Sequence, residues 1–301
     1  MEPEERFVPG TRGRLHFLDW GGDGPVAHLL HANGFCAGTY SPFVANLCPA
    51  LHVTASDIRG HGDSAAIEAD RIVHWNVFAE DLKETVEGIM APPVIGMGHS
   101  LGAVATYMAG ATYPDLFSAL VLMDPVVLPR RLLWAIWLMK KLGLAAAIPL
   151  ARGARRRRRT FRDRKEAFAR FAAGRGIFKS WSPEFIDAYL ECGLLEKDDT
   201  TAVLKCDPET EARIFESVPL DIWDYADRIR CPVLLVRGNF SEAFAPGPAR
   251  ELARKISGCR LATIDGAGHF IPMEKPRELA GIILDFLEDC HVCRQTGPAV
   301  A

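Results

Sequence analysis

Short apolar runs alternate with longer stretches of helical periodicity over the first 125 residues, and the same rhythm returns after residue 230. The runs predict strands at Arg14–Asp19, Val26–His31, His52–Asp57, Pro93–Gly98, Ala119–Asp124, Val233–Arg237 and Arg260–Ile264. Between them the spacing predicts helices at Pro42–Cys48, Asn76–Met90, Leu101–Tyr113, Pro248–Ile256 and Arg277–Asp289. Strands that are apolar throughout, each followed by a helix, imply an α/β fold with a mostly parallel sheet covered on both faces. The first two strands, joined closely, predict an antiparallel start. From about Pro125 to Val218 the rhythm breaks and reads as helices only, so residues 126–218 form an insertion in a core made of 1–125 and 219–301. Within it, Ser182-Pro183-Glu184 predicts a helix start with a capping hydroxyl and Pro at the first helical position, and Gly193 ends that helix.

Composition narrows the class. With 49% hydrophobic and 24% charged residues the chain suits a globular protein with a large core in one or at most two domains, which excludes a disordered chain. The acidic amino terminus lacks the apolar core of a secretory signal, so cytoplasmic residence is expected, with the eight cysteines as reduced thiols. Cys290 and Cys293 form a CxxC without a second pair to complete a zinc site, and no metal or organic cofactor is implied. The net charge of −3 points to no polyanion partner, but Arg130–Arg170 carries +12 and the rest −15. No nucleic-acid motif accompanies the run Arg155, Arg156, Arg157, Arg158 and Arg159; its expected uses are a solvated face, an anionic substrate head group, or peripheral contact with an anionic membrane surface. The apolar stretch Leu132–Leu150 holds Lys140 and Lys141 near its centre and does not predict a membrane span. It reads as a cap helix roofing a pocket, with an amphipathic segment resting on a membrane surface near the arginine run as the alternative, and both imply an apolar acyl or aromatic substrate.

The chemistry is carried by VIGMGHSLGA, where Gly98-His99-Ser100-Leu101-Gly102 fits G-x-S-x-G between a predicted strand and a predicted helix. A Ser on such a turn is forced above the sheet edge, and the flanking glycines let the turn close. A serine hydroxyl needs a base within hydrogen-bond reach. His269, just beyond the last predicted strand, would reach the same carboxyl edge of a parallel sheet. The loop HANGF, residues 31–35, offers backbone N–H groups for a tetrahedral oxyanion, with Asn33 and Leu101 as the donors. His31, Gly34, Phe35, His99 and Phe270, together with Trp134 and Trp137 from the insertion, are the expected substrate contacts. DIRGHGDS, residues 57–64, reads as a scaffolding loop.

HANGF, DIRGHGDS, GHSLG and DGAGHFIPMEKP, in that order, resemble the α/β-hydrolase superfamily, in particular its serine-nucleophile, capped, esterase- or lipase-like members. The resemblance implies an eight-stranded sheet, an all-helical cap after the sixth strand and the chain order Ser, acid, His. It also implies that the acid commonly follows the seventh strand in a pattern similar to G-x-x-D. Here that position holds Ser241 in Gly238-Asn239-Phe240-Ser241-Glu242, so Glu242 is favoured as the acid and Asp124, ending the sixth strand, is the alternative. A Ser rather than an Asp nucleophile argues against epoxide hydrolases and haloalkane dehalogenases. The expectation is hydrolysis of a carboxylic ester or thioester of an apolar small molecule through an acyl-enzyme. The rivals are a ligand-sensing protein on the same fold, and an acyltransferase or a C–C bond hydrolase.

Overall fold

The computed structural model describes residues 2–89, 92–198 and 200–292; Cys293 of the CxxC lies outside the described residues. Its strands in chain order are β1 (Glu4–Val8), β2 (Leu15–Asp19), β3 (Val26–Leu30), β4 (His52–Ser56), β5 (Val94–His99), β6 (Phe117–Met123), β7 (Thr160–Phe161), β8 (Leu194–Asp198), β9 (Thr201–Leu204), β10 (Val233–Gly238) and β11 (Cys259–Ile264). Eight of them form one sheet in the order β1-β2-β4-β3-β5-β6-β10-β11, parallel from β4 to β11. Side chains alternate between its two faces, as the two-residue period of a strand requires. Leu29, Met97, Val121 and Val236 enter one core, and Leu30, Leu120, Leu122 and Leu235 enter the other.

The start of the sheet differs from expectation. The strand over residues 15–19 pairs antiparallel with β4 and with β1, and not with its sequence neighbour β3. β1, EERFV, is mostly exposed and charged, so it lacks the apolar run that marks the other strands.

The helices that position the site are α1 (Asn76–Ile89), α2 (Leu101–Thr112), α3 (Arg130–Lys141), α4 (Pro149–Arg155), α5 (Arg164–Ala172), α6 (Pro183–Gly193), α7 (Pro208–Glu216), α8 (Pro246–Lys255) and α9 (Pro276–Asp289). α2 is rich in Ala and Gly and is buried from Leu101 to Ala111, so it lies close against the sheet directly behind Ser100. The expected helix at Pro42–Cys48 shortens to one turn, Ser41–Val44. α6 starts with Pro183 at its first position and ends at Gly193, but the Ser182 hydroxyl makes no capping bond.

Between β6 and β10 the chain is mainly helical and also builds a second, three-stranded antiparallel sheet, β7-β9-β8. An all-helical insertion is therefore corrected. These strands span two to five residues, and β8 (LLEKD) is exposed after its first residue, so they carry little hydrophobic signal. Among the described residues no helix is long and apolar enough to cross a membrane.

Candidate active site

Ser100 stands between the last residue of β5 and the first of α2 with φ 56° and ψ −114°, a backbone conformation that costs free energy in a non-glycine residue. The turn closes because its flanks have no side chains. A Cβ on Gly98 would lie 2.4 Å from the Gly102 carbonyl oxygen, and one on Gly102 would lie 2.3 Å from that of Leu30. The G-x-S-x-G spacing is thus a packing requirement of strand, turn and helix.

His269 Nε2 lies 2.9 Å from Ser100 Oγ, and its Nδ1 lies 3.1 Å from Asp124 Oδ1. Asp124 is fully buried at the end of β6 with φ 45°, a left-handed conformation that Asp tolerates better than most residues. Its carboxylate also accepts from the Ser241 hydroxyl (2.6 Å) and from the Gly238 N–H (3.0 Å). The structure therefore brings Asp124, and not Glu242, to the histidine. In the turn after β10 Ser241 points inward and Glu242 outward into solvent, so successive residues take opposite sides and the favoured carboxylate faces away. Ser241, at the place where the acid was expected, instead supports the acid of the neighbouring strand.

The loop of residues 31–35 is held by two neutral histidines. His31 Nε2 accepts from the Ile58 N–H (2.8 Å), so its Nδ1 donates to the Ala32 carbonyl (2.7 Å). His61 Nε2 accepts from the Gly34 N–H (3.0 Å). Burial pushes His61 down to about 3 and lowers His31 as well, so both stay uncharged at neutral pH. The Ala32, Gly34 and Phe35 N–H groups go to Tyr40 Oη, His61 and the Ala32 carbonyl. Among the described residues the Asn33 N–H has no acceptor, and neither does that of Leu101, which opens its helix. The sequence singles out the same two residues as candidate donors, and their N–H groups are the ones left open.

His99 is an organiser rather than a substrate contact. It is fully buried; its Nε2 donates to the His269 carbonyl (2.9 Å) and its Nδ1 accepts from Tyr40 Oη (2.7 Å). Tyr40 Oη in turn accepts from the Ala32 N–H (3.0 Å). One uninterrupted chain of hydrogen bonds thus couples the backbone of His269 to the loop of residues 31–35. Burial holds His99 neutral, down at about 3. His31, fully buried, has the same scaffolding place, and Gly34 lies under the Arg157–Glu211 ion pair, whose side-chain ends stand 2.9 Å from where a Cβ would be.

The roof is aromatic. Phe270 packs edge-on to His269 (5.0 Å) and to Phe35 (5.8 Å). Phe35 meets Trp181 (5.4 Å) and Tyr189 of α6 (5.6 Å), both from the insertion. Trp181 and Tyr189 were not anticipated; Trp134 and Trp137 were, and they sit elsewhere, exposed on α3. α3 turns Leu133 inward, with Lys140 donating to the Val218 carbonyl, so its tryptophans face solvent. Cys36, next to Phe35, is joined by a disulfide to Cys192 near the end of α6, which corrects the expectation that all cysteines are reduced. The arginine run is paired within the insertion: Arg155 with Glu209 and Glu216, Arg157 with Glu211, Arg158 with Glu166, Arg159 with Asp207. Among the described residues one group, His16, Asp57 and Asp63, has the spacing of metal ligands. Its members are already engaged, His16 with Asp57 (2.7 Å) and Asp63 with Lys205 (2.5 Å).

The sequence and fold are similar to those of known hydrolases. The esterase Rv0045c of Mycobacterium tuberculosis is 28% identical over 287 residues, covering 92% of this chain and 87% of that protein. Epoxide hydrolase A of the same organism is 27% identical over 320 residues, covering 95% and 97%. The solved structure of E-2-(acetamidomethylene)succinate hydrolase superposes with a TM-score of 0.77 at 22% identity, over 95% of this chain and 99% of that one. A family model described as "Alpha/beta hydrolase family" matches residues 29–282. The chain belongs to the alpha/beta hydrolase family.

Proposed function

We propose that this protein is a serine hydrolase that cleaves a carboxylic ester or thioester of an apolar small molecule through an acyl-enzyme. The observation that carries the reading is the hydrogen-bonded line from Ser100 Oγ through His269 to the buried Asp124. His269 Nε2 removes the Ser100 proton as Oγ attacks the substrate carbonyl, and the oxyanion is held by the N–H groups of Asn33 and Leu101. His269 then gives that proton to the leaving alcohol or thiol. Water, deprotonated by the same nitrogen, attacks the acyl-enzyme and returns Ser100 to its free state. Asp124 keeps the imidazole in the tautomer that presents Nε2 to the serine and stabilises the imidazolium without taking its proton. An epoxide-opening reaction is disfavoured although one relative is an epoxide hydrolase, because the elbow residue here is a serine and not a carboxylate. The apolar preference follows from Phe35, Trp181, Tyr189 and Phe270. The Trp181 indole N–H, buried without an acceptor among the described residues, offers a donor to a polar atom of the substrate.

Labelling with a fluorophosphonate probe, followed by peptide mass spectrometry, tests the reading. An adduct on Ser100 that disappears in His269→Ala is expected, and Ser100→Ala should lower turnover of the best ester by about 10⁶-fold. Absence of any adduct on the folded protein would reject the hydrolase reading in favour of ligand binding.

A further inference from the structure

A surface helix normally buries its apolar stripe and gives its polar face to water. α3 does something else. Its inner side is held by Leu133 and by the Lys140 bond to the Val218 carbonyl, yet its outer side exposes Trp134, Trp137, Leu138 and Leu142. At 100° per residue these four fall on one face together with Arg130, Arg131 and Lys141. The apolar exposure continues past the helix with Leu144 and Leu150, the latter on α4 beside the exposed Arg152 and Arg156. Trp134 and Leu142 are 63% and 62% exposed, values that a monomer rarely tolerates in one contiguous ridge. No Asp or Glu occurs between Asp124 and Asp163, so nothing in the segment neutralises Arg131 and Lys141 from within, whereas Arg130 reaches Glu251 at 3.8 Å.

We propose that the outer face of α3, with Leu144 and Leu150, docks the protein on an anionic lipid bilayer. Charge complementarity chooses the partner. A ridge of tryptophan and leucine rimmed by arginine and lysine suits the boundary between acyl chains and acidic head groups, where indole rings settle and cations meet phosphate and carboxylate. The docking element is not the Arg155–Arg159 run, whose members other than Arg156 are spent on acids of the insertion. The helix lies on the surface, because its 12 residues are too few to span. This inference rests on the exposure and charge of α3 and stands independently of the proposed chemistry.

Co-sedimentation of the full chain with vesicles tests it, comparing phosphatidylcholine alone with phosphatidylcholine containing phosphatidylserine. Binding to the anionic vesicles, weakened by salt and accompanied by a blue shift of tryptophan emission, is expected. Arg131→Gln with Lys141→Gln should weaken it roughly 30-fold, two cations at about 1 kcal/mol each. Leu138→Glu with Leu142→Glu should weaken it at least as much, with circular dichroism and melting temperature confirming that both variants are folded. No binding to anionic vesicles at low salt, or binding that neither variant alters, overturns the proposal. A concentration-dependent dimer abolished by Leu138→Glu with Leu142→Glu, without vesicle binding, would assign the face to a second copy and overturn it equally.

Discussion

Two residues at the ends of adjacent strands compete for one role, and their environments decide between them. Asp124 is sealed from solvent and accepts three hydrogen bonds, from His269, Ser241 and Gly238, whereas Glu242 is exposed. Asp124→Asn should therefore lower turnover by about 10⁴-fold, since the amide favours the wrong imidazole tautomer. Glu242→Gln should leave it within a factor of two or so of the parent, an exposed substitution being near neutral. Steady-state kinetics on one ester checks both, and the reverse ranking would return the role to Glu242. Ser100 and His269 were legible because each is announced by its own local string. The carboxylate beside His269 was legible only as one of two alternatives, because its identity depends on contact between two strands over a hundred residues apart: β10 lies beside β6, and Asp124 N–H donates to the Val236 carbonyl at 2.7 Å. No one-dimensional pattern reports which of two neighbouring strand ends turns its side chain inward.

At the scale of elements, the strands and loops of the core keep several imidazoles uncharged. His28 on β3, His99 on β5 and His61 in the loop after β4 are buried, and burial pushes each down to about 3 from an ordinary 6.5. Unfolding releases them to bind protons, so the unfolded state holds more protons below about pH 6.5 and stability is lost as pH falls from there toward 3. At pH 5 the loss is about 2 kcal/mol for each histidine as an upper bound. Urea unfolding at pH 7.5, 6 and 5 should show a midpoint falling progressively below pH 6.5, and a flat profile would contradict the neutral network. The helices and strands of the core were readable because burial on both sheet faces imposes long apolar runs. β1 and the small sheet of the insertion were not, being short, edge-like and largely polar on one side. The arginine run was equally opaque, since Arg155, Arg157 and Arg159 find partners on and beside α7 some fifty residues later.

Across the whole molecule, Cys36–Cys192 ties the insertion back to the core and closes a loop of sequence separation 156. Cross-linking so long a segment restricts the unfolded chain and typically contributes about 2–4 kcal/mol. Reduction, or Cys36→Ser with Cys192→Ser, should lower unfolding stability by that order. Eight titratable thiols in the folded, unreduced protein would instead rule the bridge out. The position of Asp124 has a consequence for anyone who would exchange the insertion between relatives to move substrate preference. A graft whose first junction lies upstream of Asp124 replaces that residue with the donor's own, and one that lacks a cysteine opposite Cys36 leaves an unmatched thiol beside Phe35. The transferable module therefore begins at residue 125, and its donor must be chosen for what it places at position 192 as much as for the pocket it brings.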